Sequence, residues 1–267
     1  MAQGKRFAVV TGASSGLGRC FALELAHRGV NTILVSLPGE GLMNVAFESR
    51  YLGVESYIRE TDITKKENIA GLCGWINSNY EVFMLINNAG CGGTRGFADS
   101  TPEYLDTIIQ LNITATTMMT RLLLPNMLRQ EKAYVLNVSS MASFSPVGYK
   151  TVYPASKRFV QHFSRGLYQE LKNTSVFVGV VHPGPMKTNP DVTSRIERQG
   201  IFGRMGLLTP ECVARKSIAQ LFKRDTLFMP GFMNKINWLL MGITPVWISM
   251  PIMSRVVSRE IQTKANQ

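Results

Sequence analysis

Phe7-Ala8-Val9-Val10-Thr11-Gly12-Ala13-Ser14-Ser15-Gly16-Leu17-Gly18 carries an apolar run straight into a turn rich in glycine and serine. A helical pattern follows through Arg28, and Gly29 closes it, where glycine is expected just past a helix C-terminus. Strand, glycine turn and helix in this order form the first unit of a nucleotide-binding α/β fold. The glycines let the backbone turn tightly and approach a pyrophosphate, whose charge faces the N–H groups of the helix start.

Outward from that unit the signals alternate. Strands are expected at Thr32 to Val35, Val54 to Arg59 and Val82 to Ile86, with helices over Leu42 to Tyr51 and Lys65 to Asn77 between them. The third of these strands runs into Asn87-Asn88-Ala89-Gly90. Thr101-Pro102 starts a helix, with threonine as N-cap and proline at the first helical position. On it Leu105, Ile108 and Ile109 form an apolar stripe whose next member is Asn112, a buried amide that must find partners. Val135 to Ser140 is a strand ending in Ser139-Ser140, and Val176 to Val181 is another, ending in His182-Pro183-Gly184-Pro185. The helix between them carries Phe159, Phe163, Leu167 and Leu171 at a spacing of four, a pattern expected to pack on the sheet. The fold class is therefore α/β: a doubly wound, Rossmann-type parallel sheet of about seven strands. Residues 1–230 are read as one catalytic domain and 231–267 as an apolar helical extension on or near its cleft.

Bulk composition narrows the function. The 267 residues hold 45% hydrophobic side chains, enough for a full core. Cys20, Cys73, Cys91 and Cys212 have no metal-like spacing and read as reduced thiols, so no metal is expected. The net charge is +11, but Lys and Arg are scattered with no aromatic-interleaved basic block, which argues against nucleic acid. An anionic cofactor, an acyl-phosphopantetheine substrate or an anionic membrane surface would each suit that field. Met1 to Arg6 is polar and the following apolar run is too short for a signal peptide, so a cytoplasmic location is expected.

The chemistry is sought at Tyr153-Pro154-Ala155-Ser156-Lys157. Tyrosine and lysine four apart share a helix face, and an ammonium beside a phenol favours the phenolate. That makes the tyrosine a proton donor or acceptor near neutral pH. Pro154 disfavours helical geometry at Tyr153, which is expected at the helix cap. The polar motifs Gly12 to Gly18, Asn87 to Gly90, Ser139 and Pro183-Gly184 all end strands, where ligands bind in such sheets.

With these residues in view the chain resembles the short-chain dehydrogenase/reductase family. The matching motifs are Thr11-Gly12-x-x-x-Gly16-x-Gly18, Asp62, Asn87-Asn88-Ala89-Gly90, Asn112, Ser139, Tyr153-x-x-x-Lys157, and Pro183-Gly184 with Thr188. The resemblance implies an NAD(P)-dependent oxidoreductase. In it, Gly12, Ser14, Ser15, Gly16, Leu17 and Gly18 would hold the pyrophosphate, Asp62 and Ile63 the adenine, and Asn88, Ala89 and Gly90 the cleft wall. Pro183, Gly184 and Thr188 would lie near the nicotinamide. Ser139 would orient the substrate carbonyl and Tyr153 pass its proton. Lys157 would bind the nicotinamide ribose and tune the tyrosine, with Asn112 holding a relay water. Two hydroxyl donors aimed at a developing alkoxide would stabilise the transition state.

An acid at the end of the second strand would read the ribose of NAD. Val35-Ser36-Leu37-Pro38-Gly39-Glu40 has none there, so NADP(H) is favoured over NAD(H), with Ser36 able to meet its phosphate. Leu37 stands where many NADP-dependent relatives place arginine, and Glu40 is expected to begin the next helix. Residues 189–208 mix arginines with apolar side chains as a lid would. Between Lys235 and Arg255 no residue is charged, and Trp238 and Trp247 appear there. Pro245 and Pro251 break any span, which leaves a membrane-surface contact, a lid or a subunit interface. Such apolar surface favours a long or bulky hydrophobic ketone or alcohol. The resemblance to family members with apolar C-terminal extensions implies a 3-oxoacyl chain, 3-ketosphinganine or a ketosteroid. The resemblance implies a dimer or tetramer. The contrasting expectations are a catalytically silent cofactor-binding regulator and a membrane-peripheral protein.

Overall fold

The computed structural model describes residues 5–188, 193–194 and 206–265. Seven parallel strands form one sheet in the order β3-β2-β1-β4-β5-β6-β7. They are β1 (Arg6–Thr11), β2 (Asn31–Ser36), β3 (Ser56–Glu60), β4 (Glu81–Asn87), β5 (Ala133–Val138), β6 (Val176–Val181) and β7 (Leu227–Phe228). The inner strands are buried on both faces, which is why VFVGVV in β6 shows no alternation. Strand order reverses between β1 and β4, and the crevice above that point faces the ends of both strands.

Helices cover both sides. On one lie α1 (Gly16–His27), α2 (Leu42–Tyr51) and α7 (Pro210–Phe222), whose Phe21, Leu25, Leu42, Ile218 and Leu221 meet Val10, Leu34, Met84 and Ile86. On the other, α3 (Lys66–Asn79) and α5 (Thr116–Leu128) press Ile69, Ile76, Met119 and Leu123 against Val9, Ile33, Leu85 and Val135. Each fully buried Leu or Ile contributes about 1.5–3 kcal/mol, so this sandwich dominates stability and the polar rim can be altered without unfolding it. Helix α4 (Pro102–Ile109) starts on the Thr101 cap as read, its hydroxyl accepting the Tyr104 N–H. The chain ends in α8 (Phe232–Ile243) and α9 (Val246–Ala265).

Four local expectations are corrected. Helix α6 (Val152–Leu171) turns only half of its expected stripe to the sheet: Leu167 and Leu171 pack against the core, whereas Phe159 is 39% exposed and stacks on Phe163, their centroids 6.0 Å apart. The packed face is Pro154, Ser156, Lys157, Val160, Gln161 and Ser164, whose small members let the helix lie close to β5 and β6. Tyr153 sits inside the first turn rather than at the cap, which is Thr151. Pro154 is harmless there because a first-turn N–H has no helical partner to lose. Glu40 does not begin α2: Gly41, at φ +75°, is the N-cap and Glu40 belongs to the preceding turn. Asn112 follows α4 in a π-helical stretch, Gln110–Ala115, a form that recurs at functional sites. The lid expected over 189–208 lies outside the described residues apart from 193–194 and 206–208.

Candidate active site

The glycine turn is shaped for an anion. Gly12 and Gly16 have φ of +64° and +53°, where other residues are strained. A Cβ on Gly18 would run into the Gly12 carbonyl, so α1 can only approach the turn with glycine there. The Ser15 N-cap makes no side-chain capping bond and no acid stands in the first turn of α1. The N–H groups of Gly16, Leu17 and Gly18 are thus left to a ligand, and the positive end of the helix faces it. Thr11 Oγ1 accepts the N–H groups of both Asn88 and Ala89 at 3.0 Å. Asn88 Nδ2 returns bonds to the carbonyls of Thr11 (2.9 Å) and Gly12 (3.2 Å), tying the two strand ends together. These residues fit the pyrophosphate half of a dinucleotide.

At the ends of β2 and β3 the fit is partial. Ser36 is buried and its hydroxyl donates to the Leu37 carbonyl at 3.0 Å. Ser14 Oγ instead donates to Glu40 Oε2 at 2.7 Å, which puts a carboxylate beside the glycine turn. Burial pushes the Asp62 carboxyl up, but bonds from the Thr64 N–H (2.9 Å) and hydroxyl (2.7 Å) and nearby Lys65 outweigh it, so it lies below its ordinary value. The Ile63 side chain packs in the core, leaving only its backbone for an adenine. Thr188 closes over Gly16, with its Cβ 3.2 Å from where a Cβ there would stand.

The chemical groups gather over β4 and β5. Lys157 is 5% exposed, and its Nζ donates to the Val138 carbonyl at 3.0 Å and lies 5.9 Å from the Tyr153 ring centroid. Burial lowers its pKa to about 8. Burial also pushes the neighbouring Cys91 thiol up, with the Lys157 charge opposing it. Gly90 makes room for this pair: a Cβ there would stand 3.0 Å from Lys157 Nζ and 2.9 Å from Asn112 Oδ1. Gly92 likewise leaves space for the Tyr153 ring.

Asn112 and Ser139 are both engaged in hydrogen bonds within the protein. Asn112 is fully buried and its amide is satisfied: Oδ1 accepts the Cys91 N–H at 3.0 Å, while Nδ2 donates to the Cys91 carbonyl and Ser156 Oγ, both at 2.9 Å. It clamps the β4 loop to α6, leaving one lone pair on Oδ1 as the side chain's remaining hydrogen-bonding capacity. Ser139 is 3% exposed and its hydroxyl donates to the Lys157 carbonyl at 2.7 Å, so it is engaged in the wall of α6 rather than aimed at a substrate. Ser140 follows in extended geometry (φ −161°), half-buried, its oxygen accepting the Ala142 N–H at 3.1 Å and its own proton uncommitted in that bond. Successive extended residues face opposite ways, so only one of a Ser-Ser pair can face the cleft, and the sequence does not say which.

Beneath this shelf His182 is fully buried, its Nδ1 3.0 Å from Ser143 Oγ and 3.2 Å from the Ser140 carbonyl, and its ring 4.6 Å from that of Phe144. Burial lowers its pKa to about 4. Pro183 accepts the Met141 N–H at 3.0 Å, joining the β6 end to the serine loop, and Gly184 lies against Asn234 of α8. Among the described residues no cluster of His, Cys, Asp or Glu could hold a metal.

A family model described as short chain dehydrogenase matches residues 6–199. The chain belongs to that family. It is 39% identical over 193 residues to a very-long-chain 3-oxoacyl-CoA reductase of Anas platyrhynchos, covering 66% of this chain and 58% of that protein. To the 17-beta-hydroxysteroid dehydrogenase type 3 of Homo sapiens it is 34% identical, covering 68% and 60%. The short-chain dehydrogenase chain thus matches about three fifths of the length of these relatives. A solved 7beta-hydroxysteroid dehydrogenase shares its fold with a TM-score of 0.84 at 22% identity, covering 93% of this chain and 96% of that one. A short-chain dehydrogenase of Sphingobium yanoikuyae, solved in complex with NADPH, is 25% identical with a TM-score of 0.76, covering 90% and 96%.

Proposed function

We propose that this short-chain dehydrogenase reduces the carbonyl of an apolar, lipid-like substrate, or oxidises the matching alcohol, using a nicotinamide dinucleotide. The observation that carries the reading is the pairing of Tyr153 with a buried Lys157 on the first turns of α6, above the Asn88–Gly90 shelf. A bound nicotinamide supplies the hydride. Tyr153 passes the proton to the carbonyl oxygen, and Ser140, in place of the expected Ser139, donates the second hydrogen bond to the developing alkoxide. Lys157 places a positive charge beside the phenol and favours release of its proton. Asn112 holds the Cys91 loop and the start of α6 in register. Gly12 to Gly18 receive the pyrophosphate, while Asp62, Ile63, Pro183, Gly184 and Thr188 border the remaining length.

The finer assignments are proposals of the same kind. NADP(H) is preferred on the missing strand-end acid, although Glu40 at Ser14 works against a 2′-phosphate. Residues 1–230 form the catalytic domain and 231–267 the apolar extension. A 3-oxoacyl chain, a ketosphinganine or a ketosteroid suits the exposed apolar surface of that extension. The exposed Phe159–Phe163 stack offers a second copy an aromatic face on α6. The test is NADPH oxidation screened over 3-oxoacyl thioesters, 3-ketosphinganine and ketosteroids. The expected result is turnover on at least one class, with Tyr153→Phe losing nearly all of it and keeping its NADPH affinity. Unchanged turnover in that variant removes the tyrosine from its role.

A further inference from the structure

The two terminal helices have an inner face that is anchored and an outer face that is not. Inside, Asn234 is 1% exposed and donates to the Gly206 carbonyl at 3.0 Å and the Pro230 carbonyl at 2.7 Å. Trp238 meets Phe144 edge to face at 6.3 Å, and Ser254 Oγ accepts the Gly148 N–H at 2.9 Å. Val256 and Val257 are buried. The extension is therefore fastened at two places: by α8 to Gly184, Gly206 and Pro230, and by α9 to the segment between Ser140 and Tyr153.

Between those anchors the end of α8 and the start of α9 carry Leu239, Leu240, Ile243, Val246, Trp247 and Met250, all exposed, with Ile243 at 70% and Trp247 at 76%. The charge around it has one sign. Lys235, Arg255 and Arg259 are exposed, and no acid occurs between Asp225 and Glu260 in a chain of net charge +11. A second copy seated on this face would bring two such basic borders together, each with three cations against the single acid Glu260 of the extension, an unfavourable juxtaposition. A bilayer with anionic headgroups matches both features, since it accepts the apolar turn and neutralises its border. Among the described residues no helix is long and apolar enough to cross a membrane, and Pro251 lies within α9. The geometry is that of a segment lying in the interface.

We propose that the α8–α9 turn docks this protein on an anionic lipid surface, seating Ile243, Val246 and Trp247 below the headgroups. Docking itself needs no catalysis. That it also lets a membrane-dissolved carbonyl substrate enter beside Trp238 rests on the reductase reading.

The test is co-sedimentation of the full chain with phosphatidylcholine vesicles, with and without about one quarter phosphatidylglycerol, at low and raised salt. The expected result is binding at least about tenfold stronger to the anionic vesicles and weakened by salt, with a blue shift of tryptophan fluorescence. Trp247→Glu and Ile243→Glu are expected to lose about tenfold or more of that binding while keeping the melting temperature and NADPH affinity of the parent. Trp247→Phe is expected to retain it. Equal or absent binding to both vesicle types overturns the proposal. So does dissociation of an oligomer by Trp247→Glu without effect on vesicles, which assigns the face to a second copy. Tyr153→Phe must still bind: vesicle binding without turnover in the parent sinks only the reductase reading.

Discussion

Lys157 is a charged group kept where charge is unfavourable, and that has a measurable consequence. Its pKa falls from an ordinary 10.5 to about 8 through burial. Below pH 8 both folded and unfolded chains carry the proton, so the full penalty of burying the cation is present. Between about 8 and 10.5 only the unfolded chain keeps it, and this lysine's contribution to stability rises with pH. Lys157→Met should therefore raise the melting temperature of the cofactor-free protein at pH 7, lose that advantage by pH 10.5, and have almost no turnover. Melting curves across that range check it. The two serines separate as sharply. Ser140→Ala should lower kcat about 10²–10³-fold, as removal of an oxyanion donor does elsewhere. Ser139→Ala should leave most turnover and cost about 1 kcal/mol of stability, the worth of one buried hydrogen bond. Glu40→Gln, freed of a carboxylate at Ser14, should tighten NADPH several-fold more than NADH in a binding titration. At this scale Tyr153, Lys157 and the glycines were legible because their types and spacing carry the chemistry. The choice between Ser139 and Ser140 was not, since it depends on which serine faces α6, and only the packing shows that.

Elements were legible where the apolar pattern had one face to satisfy. Strands β1, β4, β5 and β6 and helices α1 to α4 stand within a few residues of their expected bounds because core contact decides them. Helix α6 misled because a spacing of four identifies a face without saying what lies opposite it. Leu167 and Leu171 of that stripe reach the core, but Phe159 and Phe163 do not, and the first turns instead give the sheet Ser156, Val160 and Ser164. The π-helical stretch at Gln110–Ala115 was equally hidden, because its extra residue per turn leaves no mark in composition. What it achieves is visible at Asn112, whose amide reaches both the Cys91 loop and Ser156. The contact between α1 and the glycine turn gives the sharpest prediction at this scale. Gly18→Ala places a methyl group into the Gly12 carbonyl and close to Asn88 Nδ2. The expected result is loss of cofactor affinity by at least about tenfold, read by titration, with the sheet core and its far-ultraviolet spectrum retained.

Across the molecule, one buried histidine links the sheet to the substrate side. His182 follows β6, its N–H pairs with the Phe228 carbonyl at the sheet edge, and its ring meets Ser143, the Ser140 carbonyl and Phe144. Phe144 in turn meets Trp238 of the extension. Burial holds His182 neutral in the folded chain down to about pH 4, against an ordinary 6.5. Above 6.5 neither state binds the proton and nothing is lost. Between 6.5 and 4 the unfolded chain binds a proton that the folded chain refuses, so stability falls as pH falls, by up to about 1.4 kcal/mol per pH unit from this group. The same proton, once forced on, would sit beneath the serine loop and the anchor of α8, so the site should loosen along with the fold. The expected measurement is a denaturation midpoint that declines from pH 6.5 to 4, with His182→Gln flattening that decline because glutamine keeps a polar group there without a proton to gain. A decline of equal slope in the variant would place the acid sensitivity elsewhere, among carboxylates such as Asp62 that are held below their ordinary range.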